Sequence, residues 1–283
     1  MLLKDLKYYF QEKLSPIYGQ EEASSFFYWL VEDFLQIKKS NVVFHFSEEI
    51  KEVEQAKFEN ALERLLQHEP IQYITGATEF MGLKFQLTSD VLIPRTETEE
   101  LVEWILNDFQ GKSGESLKIL DIGTGSGCIA ISLAKYLPKV RVFALDISEK
   151  SLEVARQNAE ANSVEIQFIQ GNILENLKWN ETFDILVSNP PYVTPSEKKW
   201  MSDNVLKYEP HTALFAPDET PLLFYEAIAR MGKNSLRPGG KLYFEINEAY
   251  GQELINLLTH FSYKDILLKK DFLAKDRFIK SSN

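Results

Sequence analysis

The sequence predicts a doubly wound α/β fold with a parallel sheet, preceded by a small helical domain. Three observations lead there. The first seventy residues carry a helical apolar period, the next stretch changes to aromatic and β-branched residues broken by glycines, and the remainder alternates short apolar runs with amphipathic segments.

In EEASSFFYWLVEDFLQI, residues Ala23, Phe26, Phe27, Leu30, Val31, Phe34 and Leu35 recur at helical spacing. Ser47 to His68 repeats the pattern with Val53, Phe58, Ala61, Leu62, Leu65 and Leu66; Ser47 is a candidate N-cap and Pro70 lies just beyond the end. These segments define a helical domain over residues 1–70. It is either a purely structural bundle or a substrate-recognition domain, and the pattern fits both. Over residues 71–93 the run IQYITGATEFMGLKFQL, punctuated by Gly76 and Gly82, reads as a β-hairpin linking that domain to residues 94–283.

Past the helix-like TETEELVEWILNDF, candidate strands are LKIL (117–120), VRVFALD (140–146), VEIQFI (164–169), FDILVSN (183–189) and KLYFEIN (241–247). Helical patterns fall between them, from Cys128 to Tyr136, Ser148 to Ala161 and Pro221 to Leu236. Strands separated by helices imply parallel pairing and right-handed crossovers. In such sheets ligands sit beyond the carboxyl ends of the strands, at the point where strand order reverses.

Composition excludes several classes. No apolar run approaches the roughly 20 residues of a membrane span. Lys4, Asp5 and Lys7 stand where a secretory leader would be apolar, and the single cysteine, Cys128, fits a reducing cytoplasm. The four histidines are scattered without metal-ligand spacing, so no metal is expected. Net charge is −11, and no Lys/Arg-rich run offers a phosphate-binding surface, which disfavours a nucleic-acid substrate.

The first candidate strand ends in Asp121-Ile122-Gly123-Thr124-Gly125-Ser126-Gly127. Its G-x-G-x-G spacing differs from the G-x-G-x-x-G of dinucleotide sites. The acid two residues before the first glycine would repel a pyrophosphate and suits the ammonium group of a methionine moiety. The second strand ends in Asp146, about 20 residues past the loop, where a carboxylate accepts ribose hydroxyls. Together they indicate a nucleoside cofactor, with S-adenosyl-L-methionine favoured over a dinucleotide. The third strand ends near Asn172 and Ile173. These either contact an adenine ring, through its amine and its face, or simply form a turn.

After the fourth strand comes Ser188-Asn189-Pro190-Pro191-Tyr192. Two prolines fix φ and remove both backbone donors. The Asn189 side-chain carbonyl and the Pro190 carbonyl can accept both protons of an NH₂ group, and Tyr192 can stack on a planar amide or amine. An amide nitrogen is a poor nucleophile, so orientation must do much of the work. Asn189, Pro190 and Tyr192 are therefore the candidate catalytic residues, and Pro191 joins them in binding the acceptor.

With both motifs in place, the chain resembles the Rossmann-like class I methyltransferases of the N-P-P-Y group. EPIQYITGATEFMGLKF (69–85), VLIPRTETEELV (91–102), DIGTGSGCIAISLA (121–134), ALDIS (144–148), SNPPYV (188–193) and YEPHTALF (208–215) narrow the resemblance to the PrmC/HemK family of protein-(glutamine-N5) methyltransferases, over essentially the whole chain. The resemblance implies a substrate: the glutamine of the Gly-Gly-Gln motif in class 1 peptide chain release factors. It also implies that Asn189 to Tyr192 bind that glutamine, while Gly123 to Gly127, Asp146 and Asn189 line the cofactor site. Thr96 replaces the proline usual after Ile-Pro-Arg, and APDET (216–220) replaces a more glycine-rich turn. Arg95 receives no role.

The nearest rival is a nucleic-acid amino-methyltransferase acting on adenine or ribosomal guanine. It shares every catalytic residue, but residues 1–90 hold 9 Lys/Arg against 15 Asp/Glu, a poor surface for phosphates. The other rival, a non-catalytic binding module, would have no need of Asp121, Asp146 and Asn189 together.

Overall fold

The computed structural model describes residues 1–109, 116–175 and 181–283. The chain divides into two compact units, one formed by Met1–Gly76 with Ser202–Tyr208, the other by Ala77–Met201 with Glu209–Asn283.

The first unit is helical: α1 (Leu3–Tyr18), α2 (Gln20–Leu35), α3 (Glu52–Leu66) and α4 (Ile71–Thr75), with a 3-10 segment at Lys39–His45. Leu3, Leu6, Phe10 and Leu14 of α1 are buried at successive turns of one face. Phe10 meets the rings of Phe27 and Phe58 edge-on, at centroid distances of 5.8 and 6.0 Å. The expected helix over 47–68 starts later, at Glu52, with Lys51 rather than Ser47 at its N-cap and no side-chain cap. The short helix Asp203–Tyr208 is stitched to this unit by Tyr208, whose hydroxyl donates to the Gln67 carbonyl at 2.9 Å.

Residues 71–75 correct the expected hairpin. Pro70 supplies the fixed φ that opens a helical turn, and Gly76 closes it at φ 68°, so IQYIT forms α4 instead of a strand. The hairpin proper is β1 (Ala77–Phe80) and β2 (Leu83–Gln86), paired antiparallel within the second unit. It is held by Asn158, whose side-chain amide accepts from the Gln86 N–H at 2.6 Å and donates to the Gln86 carbonyl at 3.1 Å.

The remaining elements of the second unit are α5 (Thr96–Phe109), β3 (Leu117–Ile122), α6 (Cys128–Tyr136), β4 (Val140–Asp146), α7 (Glu149–Ala161), β5 (Ile166–Gln170), β6 (Phe183–Ser188), β7 (Leu236–Glu245), β8 (Lys264–Lys270) and β9 (Asp276–Ser282), with further helices at Leu223–Ser235 and Gly251–His260. The seven-stranded sheet runs β5–β4–β3–β6–β7–β9–β8. β5 to β7 are parallel as expected, but β9 pairs antiparallel with both β7 and β8, so the sheet is mixed. Alternate strand residues feed two cores. Ile119, Val142, Ile185 and Val187 pack with α5 and α6, while Leu120, Phe143, Leu186 and Phe244 pack with the helices at 223–235 and 251–260. Strand order reverses between β3 and β6, where Ile122 pairs with Ser188.

Candidate active site at the reversal point of the sheet

The glycine loop leaves β3 and Asn189 leaves β6 at the same level of the sheet, because Ile122 and Ser188 are register partners. Ser188 strengthens this junction by donating its hydroxyl to the Ile122 carbonyl at 2.6 Å. Beyond the strand ends lies a cavity of about 360 Å³ lined by Gly123, Gly125, Asp146, Asn172, Ile173, Asn189, Pro190 and Pro191, with apolar walls from Val91, Leu92, Phe215, Phe224 and Ile228. Four separate strand ends thus converge on one cavity.

The loop is shaped from beneath. The Gly123 and Thr124 N–H groups both donate to the Leu145 carbonyl, at 2.8 and 3.0 Å. Gly125 donates to Asp146 Oδ2 at 2.9 Å, and Asp146 Oδ1 accepts from the Ser148 N–H at 2.9 Å. Ser148, not Asp146, caps α7 through its hydroxyl, and Asp146 lines the cavity. Gly125 has φ 54° and open space where a Cβ would stand. Gly127, at φ 83°, is glycine for another reason: a Cβ there would meet Ile131 Cδ1 at 2.9 Å and Ala155 Cβ at 3.1 Å.

Asp121, Thr124 and Ser126 lie behind the loop, fully or nearly fully buried. Asp121 Oδ2 accepts from the Thr124 hydroxyl at 2.7 Å and from the Ala130 N–H at 3.2 Å, while Oδ1 makes no hydrogen bond among the described residues. Burial pushes its pKa up to about 7, against the hydrogen bonds from Thr124 and Ala130 that favour the charge. Asp121 therefore braces the loop from the inside. Asn172 lines the cavity, and its Oδ1 accepts from the Leu174 N–H at 3.0 Å to close a turn.

The N-P-P-Y segment is anchored by β7 and by residues that follow it. Asn247 Nδ2 donates to the Tyr192 carbonyl at 3.2 Å and reaches Glu197, which also accepts from the Thr194 N–H at 2.7 Å. The Val193 N–H donates to the Leu214 carbonyl at 3.0 Å. Arg95, unassigned from sequence, pairs at 2.5 Å with Glu209, whose side chain is buried.

Two residues at this site were missed in the sequence. Glu245, at the carboxyl end of β7, is 1% exposed and accepts from Thr98 Oγ1 at 2.7 Å and from the Tyr192 hydroxyl at 3.1 Å. Thr98, in the first turn of α5, accepts in turn from Asn189 Nδ2 at 3.2 Å. Burial raises the Glu245 pKa, opposed by those two hydrogen bonds and by the Arg277 charge. Burial and Glu245 hold the Tyr192 phenol protonated.

Comparison with known proteins places this geometry. Residues 8–76 match the family described as PrmC N-terminal domain, and residues 98–208 the one described as Methyltransferase small domain. A release factor glutamine methyltransferase of Flavobacterium psychrophilum is 48% identical over 281 residues, covering 99% of each chain. The chain belongs to the release factor glutamine methyltransferase family. A relative of that name from Bacteroides thetaiotaomicron is 44% identical over 272 residues, covering 96% of each. The fold also matches a methyltransferase from Pyrococcus furiosus, at TM-score 0.53 and 20% identity over 79% of this chain and 98% of that one. Release factor glutamine methyltransferases thus supply the family in which the cavity, the glycine loop and the N-P-P-Y segment stand. Among the described residues, no helix is long and apolar enough to cross a membrane, and no group of three or more His, Cys, Asp or Glu is placed to hold a metal ion.

Proposed function

We propose that this chain transfers a methyl group from S-adenosyl-L-methionine to the side-chain amide nitrogen of the glutamine in the Gly-Gly-Gln motif of class 1 peptide chain release factors. The observation that carries the reading is the placement of Asn189. One Nδ2 proton goes to Thr98, which turns Nδ2 towards α5 and leaves Oδ1 as the side-chain acceptor for an N–H, in a residue that lines the cavity with Gly125 and Asp146.

The residues present fit the cofactor. The Asp146 carboxylate suits two ribose hydroxyls, Asn172 and Ile173 suit the adenine, and the open face of Gly125 admits the methionine portion without a Cβ in its way. When bound, S-adenosyl-L-methionine supplies an electrophilic methyl group whose bond to sulfur breaks as the new nitrogen–carbon bond forms. The protein needs no nucleophile of its own. Asn189 Oδ1 and the Pro190 carbonyl hold the two amide protons, aiming the nitrogen and drawing it towards the electron-rich geometry that attack requires. Tyr192 holds the amide plane. One amide proton is released to water afterwards.

The helical unit is the proposed recognition domain, since remote binding energy is what presents a flexible loop in register. The acidic balance of the chain supports a protein over a nucleic acid. Incubation with purified release factor and labelled cofactor, followed by peptide mass spectrometry, tests the proposal. A methyl group on the Gly-Gly-Gln glutamine is expected; label on DNA or ribosomal RNA, with release factor untouched, would overturn it.

A further inference from the structure

We infer that Glu245, acting through Thr98, is a positioning residue that decides which way round the Asn189 side-chain amide stands, and so whether it meets an NH₂ group with an acceptor or a donor. The inference rests on the methyl-transfer reading above and names the device that makes Asn189 competent for it.

A side-chain amide has nearly the same shape in two orientations half a turn apart, and its hydrogen-bond partners decide between them. For an incoming NH₂ group only one orientation works; the other sets donor against donor. Asn189 is oriented by Thr98, whose hydroxyl holds a single proton. That proton goes to Glu245 Oε2 at 2.7 Å; Thr98, Tyr192 and the Arg277 charge all favour the ionised carboxylate, opposing the burial that raises its pKa, and an ionised oxygen can only accept. Towards Asn189, at 3.2 Å, Thr98 can therefore only accept, so Nδ2 must face it and Oδ1 must face away. The other carboxylate oxygen takes the Tyr192 proton at 3.1 Å. One carboxylate thus sets the polarity of two members of the N-P-P-Y segment.

The surroundings protect that arrangement. Thr98 and Glu245 are 3% and 1% exposed, so bulk water does not compete for either group. Glu245 is fixed in the sheet by its register pairing with Phe278 of β9, and its backbone carbonyl accepts from the Tyr225 hydroxyl at 3.1 Å. Thr98, Glu245 and Tyr192 do not line the cavity, whereas Asn189 does, so the effect of Thr98 and Glu245 on chemistry must pass through Asn189.

The test compares Thr98→Val, which removes the hydroxyl at nearly constant shape, with Thr98→Ser, which keeps it. Thr98→Val should lower kcat on release factor by about tenfold or more, with KM and S-adenosyl-L-methionine affinity within about twofold of the parent. Thr98→Ser should recover most of the lost turnover. A second readout needs no acceptor substrate: the Asn189 side-chain amide protons, identified by their disappearance in Asn189→Asp, should exchange with water faster in Thr98→Val than in the parent. Unchanged kcat together with unchanged amide exchange would overturn the inference. So would a Thr98→Ser variant as slow as Thr98→Val, which would point to packing. If the parent protein methylates no release factor, the functional reading fails, while the amide-exchange comparison still decides the role of Thr98.

Discussion

Gly125 donates its backbone N–H to Asp146 Oδ2 at 2.9 Å, tying the glycine loop after β3 to the acid that ends β4. The residue proposed to hold the ribose therefore also holds the loop proposed to pass over the methionine portion. Asp146→Ala should weaken S-adenosyl-L-methionine binding by at least about tenfold, since charge-assisted hydrogen bonds contribute about 1.5–3 kcal/mol each. Calorimetric titration of the folded variant measures this. Unchanged affinity would remove Asp146 from the site.

Two glycines of the same loop should respond differently to alanine. At Gly125 the added methyl group meets open space, so Gly125→Ala should cost about 1 kcal/mol of conformational strain and act mainly on cofactor affinity. At Gly127 the methyl group collides with Ile131 and Ala155, so Gly127→Ala should cost more, about 2 kcal/mol or above. Urea midpoints of the two variants distinguish the cases. Equal destabilisation would contradict the packing seen at Gly127.

Asn189→Ala removes an acceptor for the amide protons and leaves Asp146 and the glycine loop in place. Turnover on release factor should fall by roughly 100-fold, or ~3 kcal/mol, with cofactor affinity changing much less. Single-turnover methylation at saturating cofactor is the measurement. A fully active variant would end the proposed mechanism.

Asp121 makes stability depend on pH in a defined sense. Its carboxyl loses a proton near 3.8 when unfolded and near 7 when folded, so the fold favours the protonated form. Its contribution is fully present below about pH 4 and is lost as pH rises through about 7, on the order of 4 kcal/mol in all. Asp121→Asn keeps an acceptor for Thr124 and Ala130 but cannot ionise. Between pH 5 and pH 8 the parent should lose stability more steeply than the variant. Identical slopes in chemical denaturation would assign the pH dependence elsewhere.

If the helical unit reads the release factor, loosening its core should separate binding of cofactor from use of substrate. Phe58 is buried against Phe10 and Phe34, and Phe58→Ala should cost the unit about 3–5 kcal/mol. Methylation of intact release factor should drop sharply while cofactor affinity stays within about twofold. Equal loss of both would argue against a recognition role confined to this unit. Deleting residues 1–68 is a poorer experiment, because it strips Gln67 from Tyr208 and uncovers the segment Ser202–Tyr208.

The parts of the fold legible in the sequence were those with a clear local pattern, either a continuous apolar run or, as in the edge strand β5, an alternating one. β3, β4 and β6 run through the sheet interior with apolar residues on both faces, and their ends carry the residues of the cavity. β8 and β9 were not read: β8 carries Lys264, Asp265, Lys269 and Lys270 among its residues, and β9 mixes Asp276, Arg277 and Lys280 with Phe278 and Ile279, so neither shows a clean alternation even though the two pair as a hairpin. At the site, motifs contiguous in sequence could be read, and contacts across the fold could not. Thr98 and Glu245 are 147 residues apart, and nothing local marks Thr98 as more than a residue in a helix start. Glu245 left a trace: an acid inside the apolar run LYFEI needs partners once that run is buried.

β9 lies between β7 and β8, yet it is made last of the three. Until residues 276–282 emerge from the ribosome, β7 has an unpaired edge on the side where Phe278 will sit opposite Glu245. Residues up to Asn189 are made before β9, while the carboxylate proposed to orient Asn189 still lacks its final neighbour. An exposed strand edge is also an invitation to pair with another chain. For this topology, the β7 edge stays open to misassociation until β9 docks between β7 and β8.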